Sequence, residues 1–139
     1  MTEAWYERMR ELYARSPVHA ALGMELGVLS PGVAEVRFAP TPQAINANGV
    51  VHGGTLATVA DSALLQSVRT VTTEADRLVT LELKINFLAP AAGNEFTCVG
   101  EAVRVGRGSG VATATVRDAE DRAIAISLGT IHIVRPGSS

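Results

Sequence analysis

The sequence from residue 45 to residue 68 reads INANGVVHGGTLATVADSALLQSV, and it decides the fold of this chain. Two adjacent glycines, Gly53 and Gly54, open directly onto a long segment whose apolar residues recur with the period of a helix. At ~100° of turn per residue, these apolar residues cover one broad arc of the helical wheel. They are Leu56, Ala57, Val59, Ala60, Ala63, Leu64 and Val68. The pattern predicts an amphipathic central helix over residues 53–71 with a wide buried face.

The start of this helix has a chemical character of its own. No Ser, Asp or Asn stands directly before Gly53, so the sequence predicts that the first amide groups lack a side-chain cap. Free N–H groups and the helix dipole together favour a negative charge at that end. Paired glycines before a helix are also common where two backbones pack closely, and the residues alone leave both interpretations open.

Asp61 is the second feature of the helix that needs an explanation. On the helical wheel it lies on the apolar side, between Leu65 and Val68. A carboxylate in that position has to be paired, protonated or engaged in chemistry. A residue at the rim of the buried face is the simpler interpretation, but the coincidence of both features on one helix favours a functional site.

Length and composition limit the classes of protein that remain. The 139 residues form one domain, long enough to bury a real core. A net charge of −2 gives no electrostatic reason to bind nucleic acid or an anionic membrane. Hydrophobic residues make up 47% of the chain and charged residues 19%. Surface buried between subunits would explain this balance, and so would a core of the kind found in parallel sheets.

Three features predict a cytoplasmic protein. The single cysteine, Cys98, excludes an internal disulfide and suits a reducing compartment. The N-terminal segment is charged and helical, and it lacks the apolar centre of a signal peptide. No apolar run reaches the ~18 residues that a membrane-spanning helix needs.

The rest of the chain reads as an N-terminal helical segment, residues 1–22, followed by strands around the central helix. A helix is predicted over 3–15 with Thr2 as its cap. Its apolar face comprises Trp5, Met9, Leu12 and Tyr13. Strands are predicted over residues 24–29, 33–39, 79–88, 96–105, 111–117 and 123–134. Because short turns join most of them, they pair antiparallel, and the prediction is an α+β domain over 1–139 whose sheet wraps around the central helix.

The strand over 79–88 shows the clearest alternation in the chain. One face carries Leu81, Leu83, Ile85 and Phe87. The other face carries Thr80, Glu82, Lys84 and Asn86. With a period of two residues, the pattern predicts that Thr80 points away from the apolar face.

The histidines and the glycine-rich turn carry weaker signals. His19, His52 and His132 have no metal-binding spacing and no Cys partners, so a metal site is not expected. The turn over 106–110, GRGSG, matches neither a nucleophile elbow nor a dinucleotide fingerprint. It is either a flexible hairpin or a set of backbone amides that face a phosphate beside Arg107.

One constellation of residues remains, and it resembles a known family. Its members are Asn46, then His52, Gly53 and Gly54, then Asp61, and finally Thr80 in the following strand. This spacing and the order of elements resemble the hotdog-fold acyl-CoA thioesterases of the phenylacetic acid degradation type, relatives of 4-hydroxybenzoyl-CoA thioesterase. The resemblance covers nearly the whole chain. It implies a hotdog fold and the hydrolysis of an acyl-CoA thioester to free acid and coenzyme A.

The resemblance also implies a role for each residue of the motif. The Gly53 amide would polarise the thioester carbonyl, helped by the side-chain amide of Asn46. Asp61 would act as nucleophile or as general base for water, and Thr80 would orient that water or the carboxylate. His52 would brace the loop and Asn46 through hydrogen bonds.

Substrate contacts follow from the same resemblance. The acyl pocket, shared with a partner chain, would include Gly54, Leu64, Leu65 and Val68, side chains that suit an aryl or a medium aliphatic group equally. Coenzyme A would contact Phe87, Leu88 and Ala89 at the end of a strand, and Arg107, Gly108 and Ser109 in the glycine-rich turn. No cofactor is expected, because coenzyme A is part of the substrate.

The geometry of the helix adds a prediction about assembly. Gly53 and Asp61 are separated by ~12 Å of helical rise. Catalysis requires both groups within hydrogen-bond reach of one thioester carbonyl. The two groups must then come from different chains, which predicts a homodimer with two shared sites. The resemblance adds that such dimers often pair into homotetramers.

Two other functions fit the same fold. A hotdog hydratase or dehydratase pairs a histidine with a carboxylate, as His52 and Asp61 would, but Asn46 and Thr80 suit attack on a thioester better. A non-catalytic acyl-CoA-binding regulator needs an output such as a DNA-binding helix-turn-helix. The segment before Gly23 is too short for one, so hydrolysis is the favoured prediction.

Overall fold

A computed structural model describes residues 2–138 of the chain. Two helices, α1 (Glu3–Ala14) and α2 (Pro17–Leu22), lead into strands β1 (Met24–Ser30) and β2 (Val33–Phe38). A single 3-10 turn (Pro42–Ala44) and a loop then precede the central helix α3 (Gly53–Arg69). Four strands complete the chain: β3 (Arg77–Phe87), β4 (Phe96–Val105), β5 (Ser109–Asp118) and β6 (Ala123–Val134). The predicted order of helices and strands is confirmed, and the central helix ends two residues earlier than predicted.

The strands form one six-stranded sheet in the order β1-β2-β4-β5-β6-β3, and every neighbouring pair is antiparallel. Helix α3 packs across β2, β4, β5, β6 and β3 on one face of this sheet. The core lies between them and includes fully buried Val59, Ala63, Leu64 and Val68 of the helix. The α+β architecture, a sheet wrapped around one long helix, is thus confirmed.

Glycines in the sheet set how closely α3 approaches it. A Cβ atom at Gly100 of β4 would lie 2.0 Å from the carbonyl oxygen of Ala63, a distance that no side chain tolerates. At Gly129 of β6 it would lie 2.9 Å from Cδ1 of Leu64. The helix therefore rests almost directly on the backbone of the central strands.

Helix α1 is capped as the sequence predicts, but its buried face differs. The Thr2 hydroxyl accepts a hydrogen bond from the Trp5 amide. The buried residues are Tyr6, Met9 and Tyr13, whereas Leu12 is exposed. Those three lie along one stripe at helical spacing, and Leu12 falls at its edge. The prediction of a face that includes Leu12 was wrong.

Strand β3 contains an irregularity that the sequence pattern conceals. Its pairing with β6 shifts between Thr80 and Glu82, so Leu81 is an extra residue in the ladder. A bulge of this kind reverses which face the following residues occupy. Leu81 is 61% exposed, while Thr80 before the bulge and Leu83 after it are both half-buried. The prediction that Thr80 points away from the apolar face was therefore wrong, because the alternation is not continuous.

Within the described residues, no helix combines the length and the apolar character needed to cross a membrane.

Candidate active site

The bulge in β3 brings Thr80 to the carboxylate of Asp61. The Thr80 hydroxyl donates to Asp61 Oδ1 over 2.6 Å, across the gap between β3 and α3. Both residues are half-buried, at the edge of the core rather than within it. A hydrogen bond to an ionised acceptor is short and strong, so it holds the carboxylate in one orientation. The other oxygen, Oδ2, accepts no hydrogen bond from the described residues and remains available for chemistry.

The start of α3 is capped, contrary to the sequence prediction. The N-cap residue is His52, whose Nδ1 accepts a hydrogen bond from the Gly54 amide over 2.8 Å. Because Nδ1 accepts, the ring proton lies on Nε2. The amides of Thr55 and Leu56 donate to the His52 carbonyl. The prediction failed because histidine is outside the usual set of N-cap residues.

One amide of the helix start nevertheless remains without a partner. Among the described residues, the Gly53 N–H donates no hydrogen bond. It lies at the positive end of the helix dipole, where a developing oxyanion is stabilised. The cap therefore narrows the predicted set of free donors to the single amide that the thioesterase resemblance requires.

Asn46 organises the loop before α3. Its Oδ1 accepts from the amides of Asn48 and Val50, over 2.9 and 3.3 Å. Its backbone N–H donates to the Val50 carbonyl, and its carbonyl accepts from Gly49, whose φ of 80° suits glycine. The side-chain NH2 has no acceptor among the described residues. His52 makes no hydrogen bond to Asn46, so the prediction that His52 braces Asn46 was wrong.

A cleft opens beside the helix start. It has a volume of about 370 Å³, and its walls come from the loop before α3, the first turn of the helix and the end of β3. They include Val51, Gly53, Leu56, Phe87, Leu88, Ala89 and Pro90. A Cβ atom at Gly53 would lie 3.3 Å from Cζ of Phe87, so the ring covers the backbone at this position. The structure thus brings residues 87–89 together with Gly53.

The glycine-rich turn lies at the opposite end of the helix. A Cβ atom at Gly110 would be 3.0 Å from Cγ2 of Val68, in the last turn of α3. The helix spans ~24 Å from Gly53 to Arg69. Within one chain, the two predicted coenzyme A segments, residues 87–89 and 107–109, are therefore far apart.

The helix residues assigned to the acyl pocket differ in their surroundings. Leu64 and Val68 are fully buried against the sheet and present no surface to a ligand. Leu65 is half-buried. It lies one helical turn after Asp61, on the same side. Leu65 is thus the residue of this set that can border a substrate next to the carboxylate.

Two further side chains that could act as nucleophile or metal ligand, Cys98 and His19, are held in packing contacts. Burial raises the pKa of Cys98 to about 12, so its thiol stays protonated in the core. His19 stacks on Tyr13 at 3.7 Å between ring centroids, and burial lowers its pKa. The described residues contain no group of three or more His, Cys, Asp or Glu that could hold a metal ion.

Comparison with known proteins places this chain in a family. The chain belongs to the thioesterase superfamily, and its match to that family spans residues 48–125. A crystal structure of a thioesterase family protein from Silicibacter pomeroyi is similar over 94% of this chain and 98% of its own, with a TM-score of 0.87 and 36% identity.

Two curated relatives from Escherichia coli K12 have named activities. The medium/long-chain acyl-CoA thioesterase YigI is 28% identical over 84% of this chain and 85% of its own length. The acyl-coenzyme A thioesterase PaaI is 26% identical over 94% of this chain and 91% of its own length. Together with the family match, these similarities show that the chain is a thioester hydrolase with the hotdog fold.

Replacing Thr80 tests the contact that the bulge creates. Thr80→Val keeps the shape of the side chain but removes the donor to Asp61, so we expect turnover to fall by roughly tenfold to a hundredfold, the equivalent of one hydrogen bond to a charged group. Thr80→Ser retains the hydroxyl and should stay close to wild type. Steady-state kinetics with one acyl-CoA measures both variants, and a fully active Thr80→Val would show that this contact does not orient the carboxylate.

Proposed function

We propose that this protein hydrolyses acyl-CoA thioesters with Asp61 as the reacting carboxylate. The observation that carries the proposal is the Asp61–Thr80 hydrogen bond of 2.6 Å, which leaves Oδ2 of the carboxylate open. The free Gly53 amide supplies the complementary group for the carbonyl oxygen. The activities for which YigI and PaaI are named support coenzyme A as the thiol half of the substrate.

The reaction needs a nucleophile that attacks the thioester carbon and a leaving group, the thiolate of coenzyme A. In the general-base route, Asp61 takes a proton from water while the water oxygen bonds to the thioester carbon. The Gly53 N–H and the Asn46 side-chain NH2 stabilise the oxyanion that forms. Collapse of this intermediate breaks the carbon–sulfur bond and releases coenzyme A as thiolate. In the alternative route, Asp61 attacks the thioester carbon itself and displaces coenzyme A as thiolate, and water then cleaves the resulting anhydride to the free acid and the Asp61 carboxylate.

The assembly we propose is a homodimer formed through β3. Among the described strands β3 pairs only with β6, which leaves its other edge open. Val79 and Leu81 on this strand are 50% and 61% exposed, and a long apolar edge strand normally has a partner. A second copy of β3 supplies that partner around a two-fold axis.

Antiparallel pairing of β3 with its own copy also completes the site. The end of one strand then lies beside the start of the other. Phe87 at the end of β3 covers Gly53, whereas Arg77 at its start pairs with Val134, next to the glycine-rich turn. The dimer thereby places the helix start of one chain near Asp61 and the glycine-rich turn of the partner. Within one chain, the helix start is far from both.

Two such dimers can pair through the other face of the sheet. On the side away from α3, β6 exposes Ile126 and Leu128, at 43% and 50%. Their cross-strand neighbours on β5 are Thr115 and Thr113. We propose this surface as the contact between dimers in a homotetramer.

For the substrate, we propose that coenzyme A runs from the cleft at residues 87–89 to the glycine-rich turn of the partner. The cleft is mainly apolar and suits the pantetheine arm. The turn carries an exposed guanidinium, Arg107, which suits the phosphates. The acyl group lies beside Asp61 and Leu65, where an aryl or a medium aliphatic group fits.

Arg107→Ala tests the phosphate contact. We expect KM for acyl-CoA to rise and kcat to stay unchanged, because the variant removes binding that is equal in ground and transition states. Wild-type KM should also rise with salt, since the contact is exposed and charge-to-charge. Arg122→Ala, an exposed arginine paired with Asp118 in another turn, is the control. An unchanged KM in Arg107→Ala would move the nucleotide away from this turn.

A screen of thioesters tests the function as a whole. Release of coenzyme A from aryl-CoA and alkyl-CoA substrates is measured beside hydration of 2-enoyl-CoA. We expect hydrolysis and no hydration, because Nδ1 of His52 is engaged as the cap of α3, whereas Asn46 and Thr80 suit attack on a thioester. Binding of acyl-CoA without turnover would instead indicate a non-catalytic binding protein.

A further inference from the structure

Hydrogen bonds from β6 and the residue after it hold the glycine-rich turn in place. The carbonyl of Gly108 accepts from the Ile133 amide over 2.9 Å and bonds to Nδ1 of His132 over 3.0 Å. The carbonyl of Arg107 accepts from Nε of Arg135 over 3.1 Å. All three partners belong to β6 or to the residue that follows it. Both carbonyls of the turn are thus drawn towards β6.

Two amides of the same turn are left free within the part of the chain that the structure describes. Among the described residues, the amides of Arg107 and Gly108 donate no hydrogen bond. A Cβ atom at Gly108 would meet no atom within 4 Å, so the backbone faces open space. Two successive free amides next to a guanidinium offer three donor groups that suit an anion. Their direction depends on the carbonyls staying where β6 holds them.

Arg135 is in turn held by a buried carboxylate. Its Nη1 donates to Oδ2 of Asp76 over 3.0 Å, and the Asp76 side chain is only 3% exposed. The same oxygen accepts from the amide and the hydroxyl of Thr73, over 2.9 and 3.1 Å. The amide of Thr73, followed by its hydroxyl and by Arg135, lowers the pKa of Asp76 against the opposing effect of burial.

Asp76 is itself tied to the end of α3. Nη1 of Arg69, the last residue of the helix, donates to the Asp76 carbonyl over 2.7 Å. A chain of direct contacts therefore runs from α3 through Asp76 and Arg135 to the backbone of the glycine-rich turn. Burying a carboxylate costs free energy that a turn needing only to reverse the chain would not require.

We propose that the Asp76–Arg135 pair is a positioning device for coenzyme A. It orients the turn of Arg107 and Gly108 so that the free amides and the guanidinium meet the phosphates of the nucleotide. Arg135 acts through the Arg107 backbone and does not itself touch the substrate. This inference rests on the proposed function, in particular on the nucleotide binding at this turn.

Two substrates separate this role from a contribution to folding alone. An acyl-CoA and the same acyl group on pantetheine share the thioester but differ in the nucleotide. Arg135→Gln removes the charge pair with Asp76 and disturbs the bond to the Arg107 carbonyl. Because Arg135 is 38% exposed, this variant is expected to fold. We expect its KM for acyl-CoA to rise roughly fivefold, about 1 kcal/mol of binding, with kcat and the KM for acyl-pantetheine unchanged.

Three further variants test whether the effect depends on the contact between Asp76 and Arg135. Arg135→Lys retains the charge opposite Asp76 but lacks the guanidinium fork, so its KM should lie between those of wild type and Arg135→Gln. Asp76→Asn should repeat the KM effect if its melting temperature shows that it folds. Arg122→Ala removes an exposed arginine from another turn and should leave both substrates unaffected.

The outcomes distinguish the inference from the function on which it rests. If Arg107→Ala leaves KM for acyl-CoA unchanged, the proposed nucleotide site is wrong. If Arg107→Ala raises KM but Arg135→Gln does not, the site stands and the positioning role is overturned. Equal losses of Arg135→Gln with both substrates, together with a lower melting temperature, would also overturn it in favour of a purely structural pair.

Discussion

Asp61→Asn is expected to lower hydrolysis of acyl-CoA by two or more orders of magnitude while the fold stays intact. Asparagine has the size of aspartate, and its carbonyl oxygen can still accept the 2.6 Å hydrogen bond from Thr80. It cannot take a proton from water or attack the thioester carbon. Positioned acid–base groups contribute ~10²–10⁴-fold to rate, which sets the size of the loss.

The measurement is kcat with a single acyl-CoA, alongside the melting temperature of each variant. Glu82→Gln is the control, because Glu82 is an exposed carboxylate on β3, two residues after Thr80, and accepts a hydrogen bond from Thr130 instead of from Thr80. It should keep wild-type turnover. Turnover of Asp61→Asn within threefold of wild type would show that Asp61 is a structural partner of Thr80 and that another group activates water.

Much of the fold could be predicted because its signals are local. The apolar arc of α3 and the alternation in β4, β5 and β6 arise from residues that are neighbours in sequence. Two strands, Phe96–Val105 and Ala123–Val134, have the predicted limits. The turn at Gly23, with φ of 82°, ends α2 where a residue without a side chain is needed.

The bulge at Leu81 could not be predicted from the pattern around it. Val79, Leu81 and Leu83 read as one continuous apolar face, and nothing in those residues marks a break. The shift arises in the pairing of β3 with β6, strands that are distant in sequence. The motif nevertheless identified Thr80, since the family resemblance depends on its position in the chain and not on which face it occupies.

Hydrophobic periodicity predicts which side of a helix is buried, but it does not distinguish the fully buried residues from those at the edge of that side. Leu64 and Leu65 are adjacent in sequence, and both lie within the apolar arc. The first is fully buried against the sheet, whereas the second is half-buried beside Asp61. Which of the two can border a substrate depends on how α3 is rotated over the sheet, and glycines on distant strands such as Gly100 and Gly129 decide that.

The dimer makes a prediction that no single-chain mechanism shares: two inactive variants should restore activity when they are mixed. Gly53 and Asp61 lie on one rigid helix, separated by ~12 Å of rise. Each site then combines Gly53 of one chain with Asp61 of the partner subunit. Asp61→Asn supplies an intact helix start, and a variant that lacks only the Gly53 amide supplies an intact carboxylate.

Gly53→Pro is suited to that second role. Proline has no backbone N–H and is well accepted at the first position of a helix. The preceding residue, His52, has the extended backbone that proline requires, with φ −63° and ψ 138°. Gly53→Ala is the matched control, because it places the same Cβ atom against Phe87 but keeps the amide. It separates loss of the donor from crowding of the cleft.

Random exchange of subunits gives about half heterodimers, and each heterodimer has one intact site of its two. Asp61→Asn and Gly53→Pro, refolded together, should therefore recover roughly a quarter of wild-type activity, with exchange checked by native mass spectrometry. Each variant refolded alone should stay inactive. A double variant carrying both changes on one chain, mixed with either single variant, creates no intact site and should also stay inactive. If fully exchanged mixtures of the two single variants show no recovery, Gly53 and Asp61 do not act on one thioester across the dimer.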